Sequence, residues 1–123
     1  MTETGNLPPV PLSLYREAGD LVFLSGQLAF DDQGSIVGTT VGVQTQRVFE
    51  RIGAVLKTAG LEMRDIVKTT VWLTDPEDFQ PFNSAYAAAF DGIELPARST
   101  VVAQLLVPGA KVEIEAIAMR PKS

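Results

Sequence analysis

The fold follows from two neighbouring stretches, VFERIGAVLKTAG at residues 48–60 and IVKTTVWL at residues 66–73. In the first stretch, apolar residues recur every three or four positions, which places them on one face of an α-helix. Thr39 or Thr40 can cap the start of this helix, and Gly60 stands where a left-handed residue ends one. The second stretch is rich in Val and Thr and favours a β-strand. A helix that leads into a buried strand predicts helices packed on a sheet.

The rest of the chain extends this pattern in both directions. Further strands are expected at residues 12–15, 21–24, 98–106 and 111–119, and a second helix from Asp78 with Pro81 in its first turn. Residues 1–11 contain three prolines and predict an extended lead-in. The order β-β-α-β-α-β-β predicts one α+β domain over residues 1–123, a mixed sheet with two helices on one face.

The connections and the uncovered face of this sheet carry two further expectations. Pro108-Gly109 between the last two strands suggests by itself a tight hairpin. With both helices on one face, Val101, Ala103 and Ile117 need cover from elsewhere. A sheet face that stays partly apolar indicates subunit association, so we expect a homo-oligomer.

The composition narrows the possible chemistry. The 123 residues include 10 Lys+Arg and 15 Asp+Glu, for a net charge of −5, and neither Cys nor His. These two missing residue types exclude disulfides, thiolate metal sites, cysteine nucleophiles and imidazole bases, so any catalysis must use carboxylates, Lys, Arg, Tyr, hydroxyls, backbone amides and water. The acidic balance argues against a nucleic-acid partner, and the short apolar stretches argue against a membrane span. The N-terminus has no signal-peptide pattern, which makes the cytoplasm the default location.

Arg98 and Glu113 are the residues best suited to carry chemistry. Arg98 opens a strand after a Pro-Ala pair, where its guanidinium can offer a two-donor fork to a carboxylate; a surface arginine explains the position equally well. Glu113 lies in a strand otherwise built for burial, and a carboxyl group in a partly apolar site has a raised pKa suited to proton transfer. A solvent-facing position is the alternative, and Glu115 on the same face favours it.

Three polar positions are weaker candidates. Ser25 offers a hydroxyl and Gly26 permits close approach at the end of a buried strand, although an ordinary strand-to-turn transition explains both. Asn83 lies on the aromatic side of the second helix, where a buried amide needs partners in the backbone or in a ligand. Trp72 and Tyr86 are at core spacing and are interpreted as packing.

In combination, these motifs resemble the reactive-intermediate deaminase family (RidA/YjgF), also labelled endoribonuclease L-PSP. The similarity extends in the family's order over about residues 11–119. The matching stretches are GDLVFLSGQ at 19–27, DIVKTTV at 65–71, FNSAY at 82–86, PARST at 96–100 and VEIEAIA at 112–118.

The resemblance implies a chorismate-mutase-like fold assembled as a homotrimer with three ligand clefts between subunits. It also implies that the last strand inserts between the second and third, antiparallel to both. The implied reaction is the hydrolysis of 2-imino acids and their enamine tautomers, such as 2-aminoacrylate, to 2-keto acids and ammonia without metal or organic cofactor. Carried over by position, Arg98 clamps the substrate carboxylate and Glu113 handles water and the proton. The resemblance assigns the polar or backbone contacts with the substrate to Ser25, Gly26, Asn83 and Thr100.

The chain departs from the family at three points, which indicates a divergent subgroup. Leu12 stands where the deaminases often carry Tyr, so Tyr15 becomes the candidate for a ring contact. Thr100 stands where many members have Cys, and the spacing from Arg98 to Pro108 is one residue longer. The alternatives are a 2-aminomuconate-type deaminase with a larger substrate and a non-catalytic carboxylate-binding or regulatory trimer. The acidic balance disfavours RNA cleavage, a label also attached to the family.

Overall fold

The computed structural model describes residues 10–122 and contains the predicted order of elements. The strands are β1 (Tyr15–Ala18), β2 (Leu21–Gln27), β3 (Ile66–Leu73), β4 (Ala97–Val102) and β5 (Val112–Met119), and the helices are α1 (Val41–Thr58) and α2 (Phe79–Ala89). Short 3-10 turns at Met63–Asp65 and Pro76–Asp78 precede β3 and α2. Of the expected N-terminal lead-in, residues 1–9 lie outside the described part.

The five strands form one mixed sheet in the order β1-β2-β5-β3-β4. Strand β5 lies between β2 and β3 and is antiparallel to both, as the family resemblance implied, whereas β4 runs parallel to β3 at the edge. The tight hairpin suggested by Pro108-Gly109 is therefore wrong. The physical reason is pairing: both edges of β5 are hydrogen-bonded, to β2 and to β3, which leaves none for β4. A turn signal marks a bend in the chain and does not specify which strand the chain then pairs with.

Helix boundaries follow the predicted signals closely. The Thr40 side chain accepts a hydrogen bond from the Val43 N–H and caps α1, and Gly60 has φ 78° just after the helix. Helix α2 begins directly after Asp78, which leaves Pro81 in its first turn. Each of these residues removes or satisfies a terminal backbone group that the helix itself leaves unpaired.

Three strand boundaries differ from the prediction. Strand β1 begins at Tyr15 rather than residue 12, because the turn at Gly19-Asp20 sets its register against β2. Strand β2 continues to Gln27 because a bulge carries it past Ser25-Gly26. Strand β4 ends at Val102, because this residue pairs with Leu73, the last residue of β3; the Ala103 N–H still donates to the Leu73 carbonyl at 2.8 Å.

Both helices cover the same face of the sheet, and the opposite face is open in the single chain. On the covered face Ile52, Leu56 and Phe82 are completely buried, and each contributes roughly 1.5–3 kcal/mol. On the open face Phe23 remains exposed, as does Val101 at 50%. No helix in the described part is long and apolar enough to cross a bilayer.

Gln44 fastens the connection between β4 and β5 to helix α1. This buried side chain donates from Nε2 to the carbonyls of Gly38 (3.2 Å) and Gly109 (3.0 Å). Its Oε1 accepts from the Lys111 N–H at 2.8 Å. The contact holds Lys111, which lies directly before β5 and two residues before Glu113.

Replacing this amide should destabilise the fold. Gln44→Met fills a similar volume but leaves buried backbone groups without partners, so we expect the free energy of unfolding to fall by about 2–3 kcal/mol. Urea denaturation measures it. The matched control is Gln46→Met on the exposed side of the same helix, with a change within about 0.5 kcal/mol. Equal losses in the two variants would contradict the role given to Gln44.

Candidate active site

A bulge in β2 brings backbone against the Glu113 carboxyl group. Strand β2 places two residues, Ser25 and Gly26, where β5 has only Glu115. A Cβ on Gly26 would press directly on a Glu113 carboxyl oxygen. Glycine therefore lets the backbone of the bulge lie against the Glu113 carboxyl group, and any larger residue would make the flexible end of that side chain move.

Glu113 is half-buried on the open face of the sheet, so it is not a freely solvated strand residue. Burial raises the pKa of its carboxyl group above the ordinary value, and the negative charge of Glu115 raises it further. It lines a cavity of about 240 Å³ together with Trp72, Leu105 and Leu106. The carboxyl group thus combines access from solvent with an environment that favours holding a proton.

Ser25 ties the segment before β1 to the bulge. Its hydroxyl donates to the Ser13 carbonyl at 2.6 Å, and its N–H donates to the Leu14 carbonyl at 3.0 Å. The Ser25 oxygen keeps lone pairs that can accept from a ligand. It lines an open cavity of about 690 Å³ to which Leu12 and Arg16 also contribute.

Arg98 is held in an aromatic cradle on the helix-covered face. Its Nη2 donates to Asn83 Oδ1 at 2.9 Å, and its guanidinium lies over the rings of Tyr86 (4.8 Å), Phe82 (5.3 Å) and Phe79 (5.8 Å). No carboxylate in residues 10–122 lies within 4 Å of it. These contacts hold the guanidinium in place and leave some of its N–H groups unused. It is therefore better suited to bind an incoming carboxylate than an arginine side chain that extends freely into solvent.

Thr100 lies on the same face of β4 as Arg98, two residues further on. Its hydroxyl oxygen is buried and has no hydrogen-bond partner among the described residues. It lines a cavity of about 280 Å³ with Phe79 and Val102. An orphaned hydroxyl in a cavity beside an arginine is a group that a ligand can satisfy.

Tyr86 stiffens the floor of the cradle. Its hydroxyl shares a 2.6 Å hydrogen bond with Thr69, and burial raises the pKa of the phenol above its ordinary value. Its ring meets Phe49 edge-on at 5.4 Å. The burial of Tyr86 is consistent with its interpretation as a packing residue. The face of its ring also contacts the Arg98 guanidinium.

The two groups of candidates lie on opposite faces of the sheet. Arg98 is in register with the buried Thr69 and faces α2, whereas Glu113 is in register with Trp72 on the open face. We call these the arginine cluster (Arg98, Asn83, Thr100) and the glutamate cluster (Glu113, Ser25, Gly26). A single chain does not gather both clusters around one small ligand.

Tyr15 joins neither cluster. It pairs with Leu24 and packs against the hydrophobic core on the helix-covered face. Trp72, interpreted from spacing as packing, instead lines the Glu113 cavity. The sequence could have indicated this position, because Trp72 lies between Val71 and Leu73 in a strand. Since successive side chains of a strand point to opposite faces, burial of those two places Trp72 on the open face. In the described part, no three acidic side chains lie close enough to hold a metal ion.

Comparisons with known proteins agree with this architecture. A family model described as Endoribonuclease L-PSP matches residues 6–120. The 2-iminobutanoate/2-iminopropanoate deaminase of Salmonella typhimurium is 40% identical over 106 residues, 85% of this chain and 83% of that protein. A RutC family protein of Pyrococcus horikoshii is 39% identical over 120 residues, 97% and 94% of the two chains. The crystal structure of E. coli TdcF with bound serine matches with a TM-score of 0.85 at 37% identity, covering 93% of this chain and 91% of that chain.

A side chain at position 26 should displace the Glu113 carboxyl group. In Gly26→Ala the new methyl group forces the flexible carboxyl end toward solvent, so the raised pKa of Glu113 falls toward its ordinary value. Carboxyl ¹³C NMR titration measures this shift. Gly53→Ala in α1, where a Cβ meets open space, is the control and leaves the titration unchanged. An unaltered Glu113 titration in Gly26→Ala would contradict the contact.

Neutralising Glu113 should stabilise the chain at neutral pH. The pKa of Glu113 is higher in the folded state than in the unfolded state, where it is about 4.3. Protonation of this carboxyl group therefore contributes fully to stability below the unfolded-state pKa, and the contribution is lost as pH rises through the folded-state pKa. Glu113→Gln mimics the neutral form, so its melting temperature should exceed that of the wild type at pH 7 and converge with it below about pH 4. Exposed Glu94→Gln serves as the comparison. A constant difference across pH would argue against a desolvated carboxylate.

Proposed function

The chain belongs to the RidA/YjgF family, also described as the endoribonuclease L-PSP family, and on that premise we propose that it hydrolyses small 2-imino acids. The substrates are of the 2-aminoacrylate and 2-iminopropanoate type, and the products are a 2-keto acid and ammonia. The observation that carries the proposal is the Arg98 guanidinium, held by Asn83 and three rings with no carboxylate partner in the described residues. Its unused N–H donors fit the carboxylate that every such substrate carries.

The proposed site lies between subunits. Since the arginine and glutamate clusters face opposite sides of one sheet, one small substrate reaches both only when a second copy contributes one of them. The open face offers apolar surface for this, with Phe23 and Val101 exposed. A closed ring of subunits, in which each contact joins two different surfaces, would bring the two clusters together and cover the apolar face. We propose that this ring is a homotrimer.

The proposed mechanism needs one fixed cation and one proton carrier. Arg98 binds the carboxylate with paired N–H groups and orients the C=N carbon, while Thr100 and Asn83 complete the polar contacts on that side. On the other side, Glu113 accepts a proton from water as the water oxygen bonds to the imine carbon. Glu113 then returns this proton to nitrogen, which gives a tetrahedral carbinolamine. In the second step Glu113 takes the remaining hydroxyl proton and passes it to nitrogen, so that the C=O bond forms as the C–N bond breaks and ammonia leaves. One water is consumed for each ammonia released.

The raised pKa of Glu113 suits a group that acts first as a base toward water and then as an acid toward nitrogen. A carboxyl group whose pKa lies closer to neutrality is a stronger base toward water and still a competent acid toward the leaving nitrogen. The imine carbon is already electrophilic, so the reaction as proposed requires no cofactor. The relative of known structure that holds serine, an amino acid of similar size, supports a small carboxylate ligand.

A larger substrate is the second candidate, and one observation favours it. Leu12 lines the open cavity of about 690 Å³ beside Ser25, with no tyrosine ring from that position to fill it. A 2-aminomuconate-type acid would use this space. Tyr15 receives no substrate contact in either proposal, because it packs against the core.

Kinetics with freshly generated 2-aminoacrylate and 2-iminopropanoate test the proposal. Arg98→Lys keeps the charge but loses the fork, so we expect kcat/KM to fall about 100-fold. Glu113→Gln should lower kcat about 100-fold or more with little change in KM. Arg64→Ala at an exposed surface pair is the matched control. Turnover of longer imino acids alone would support the larger substrate, and carboxylate binding by calorimetry without any turnover would replace hydrolysis with a binding role.

A further inference from the structure

Gln27 is a buried polar residue beside the bulge that contacts Glu113. Its side chain is only 4% exposed, and it directly follows Gly26. Its Oε1 accepts from Arg51 Nε at 3.2 Å, and its Nε2 donates to the Ser25 carbonyl at 3.4 Å. The amide therefore reaches back across Gly26 and holds the peptide that joins Ser25 to Gly26.

Arg51 and the Ser25 carbonyl together fix which way this amide points. An arginine side chain only donates, so it must face Oε1, and Nε2 is then left for the Ser25 carbonyl. With the amide reversed, two acceptor oxygens would face each other inside the protein, which carries a desolvation penalty. Both partners of Gln27 thus select the same orientation, and removal of Arg51 leaves the buried Oε1 without its donor.

Arg51 is itself fixed, and not by a surface ion pair. Its Nη1 donates to the Phe30 carbonyl at 3.5 Å, and its guanidinium lies 5.6 Å over the Phe30 ring. No carboxylate in the described residues lies within 4 Å of it, whereas Arg47, one turn earlier, contacts Glu50 and Asp32. Its one side-chain hydrogen-bond acceptor in that part of the chain is Gln27.

We propose that Arg51 is a positioning residue that acts through Gln27 to hold the bulge in the shape that sets the Glu113 carboxyl group. A bulge interrupts the regular strand ladder, so its shape depends on other contacts. Here the other contact is the side-chain amide of Gln27, whose Oε1 accepts a hydrogen bond from a cation on α1. The kinetic part of this inference rests on the proposed function of Glu113; the structural part does not.

Three variants test the link. Arg51→Met keeps an unbranched apolar stem but removes every donor, and Arg51→Lys restores one charged donor. Arg47→Met is the matched control, because Arg47 lies on the same helix and donates to the Phe30 carbonyl (2.7 Å) instead of to Gln27. We expect Arg51→Met to lower kcat about 10-fold with KM changed less than about 2-fold, a loss on the scale of one hydrogen bond to a charged group. Arg51→Lys should recover most of the rate, and Arg47→Met should retain it.

NMR provides a readout that needs no turnover. In Arg51→Met the Gln27 side-chain NH₂, the Gly26 amide and the Glu113 carboxyl resonances should all shift, while in Arg47→Met they should not. Resonances that stay in place, or equal loss of kcat in the two methionine variants, would overturn the inference. If the wild-type protein hydrolyses no imine, the proposed function fails, yet these resonances still decide whether Arg51 controls the bulge.

Discussion

The central position of β5 constrains the whole sheet, because both of its edges are hydrogen-bonded and both of its faces carry side chains that the fold uses. Its side chains alternate, so Val112, Ile114 and Ala116 enter the core beneath the helices while Glu113 and Glu115 point to the opposite face. Placed between β2 and β3, this strand must serve both faces at once. Shifting it by one residue would bury two carboxylates and expose the core, so its register is strongly specified. The Gln44 contact at Lys111 marks the point from which that register is counted.

The same alternation separates the polar groups that the proposed chemistry needs. The arginine cluster is built on the edge strand β4 against aromatic residues of α2, and the glutamate cluster is built on the bulge opposite β5. The first cluster holds its cation with rings and an amide, and the second has a glycine that permits close backbone approach to the carboxyl group. A site divided in this way makes assembly part of the proposed catalysis. It also explains why the open face can stay apolar without a covering helix.

Much of this architecture could be read from residue patterns. The repeat of apolar residues in α1, Thr40 before it and Gly60 after it mark that helix, and the Val- and Thr-rich run marks β3, because these signals are local. The strand ends could not be read in the same way: β4 stops at Val102 where its partner stops, a fact of pairing rather than composition. The Pro108-Gly109 pair misled for the same reason. A turn signal says that the chain bends and not which strand it then joins.

Residue composition and periodicity were enough to give the classes of chemistry open to this protein and the order of its helices and strands. Without His or Cys, the proton carrier must be a carboxylate or another remaining group, and periodicity alone separates helix from strand. Tertiary packing was needed to bring the Arg98 guanidinium over three rings, Gly26 against Glu113, and Arg51 to Gln27 from another element. These contacts join residues 12 to 87 positions apart, and burial and pairing, which act across such distances, leave no mark in local spacing.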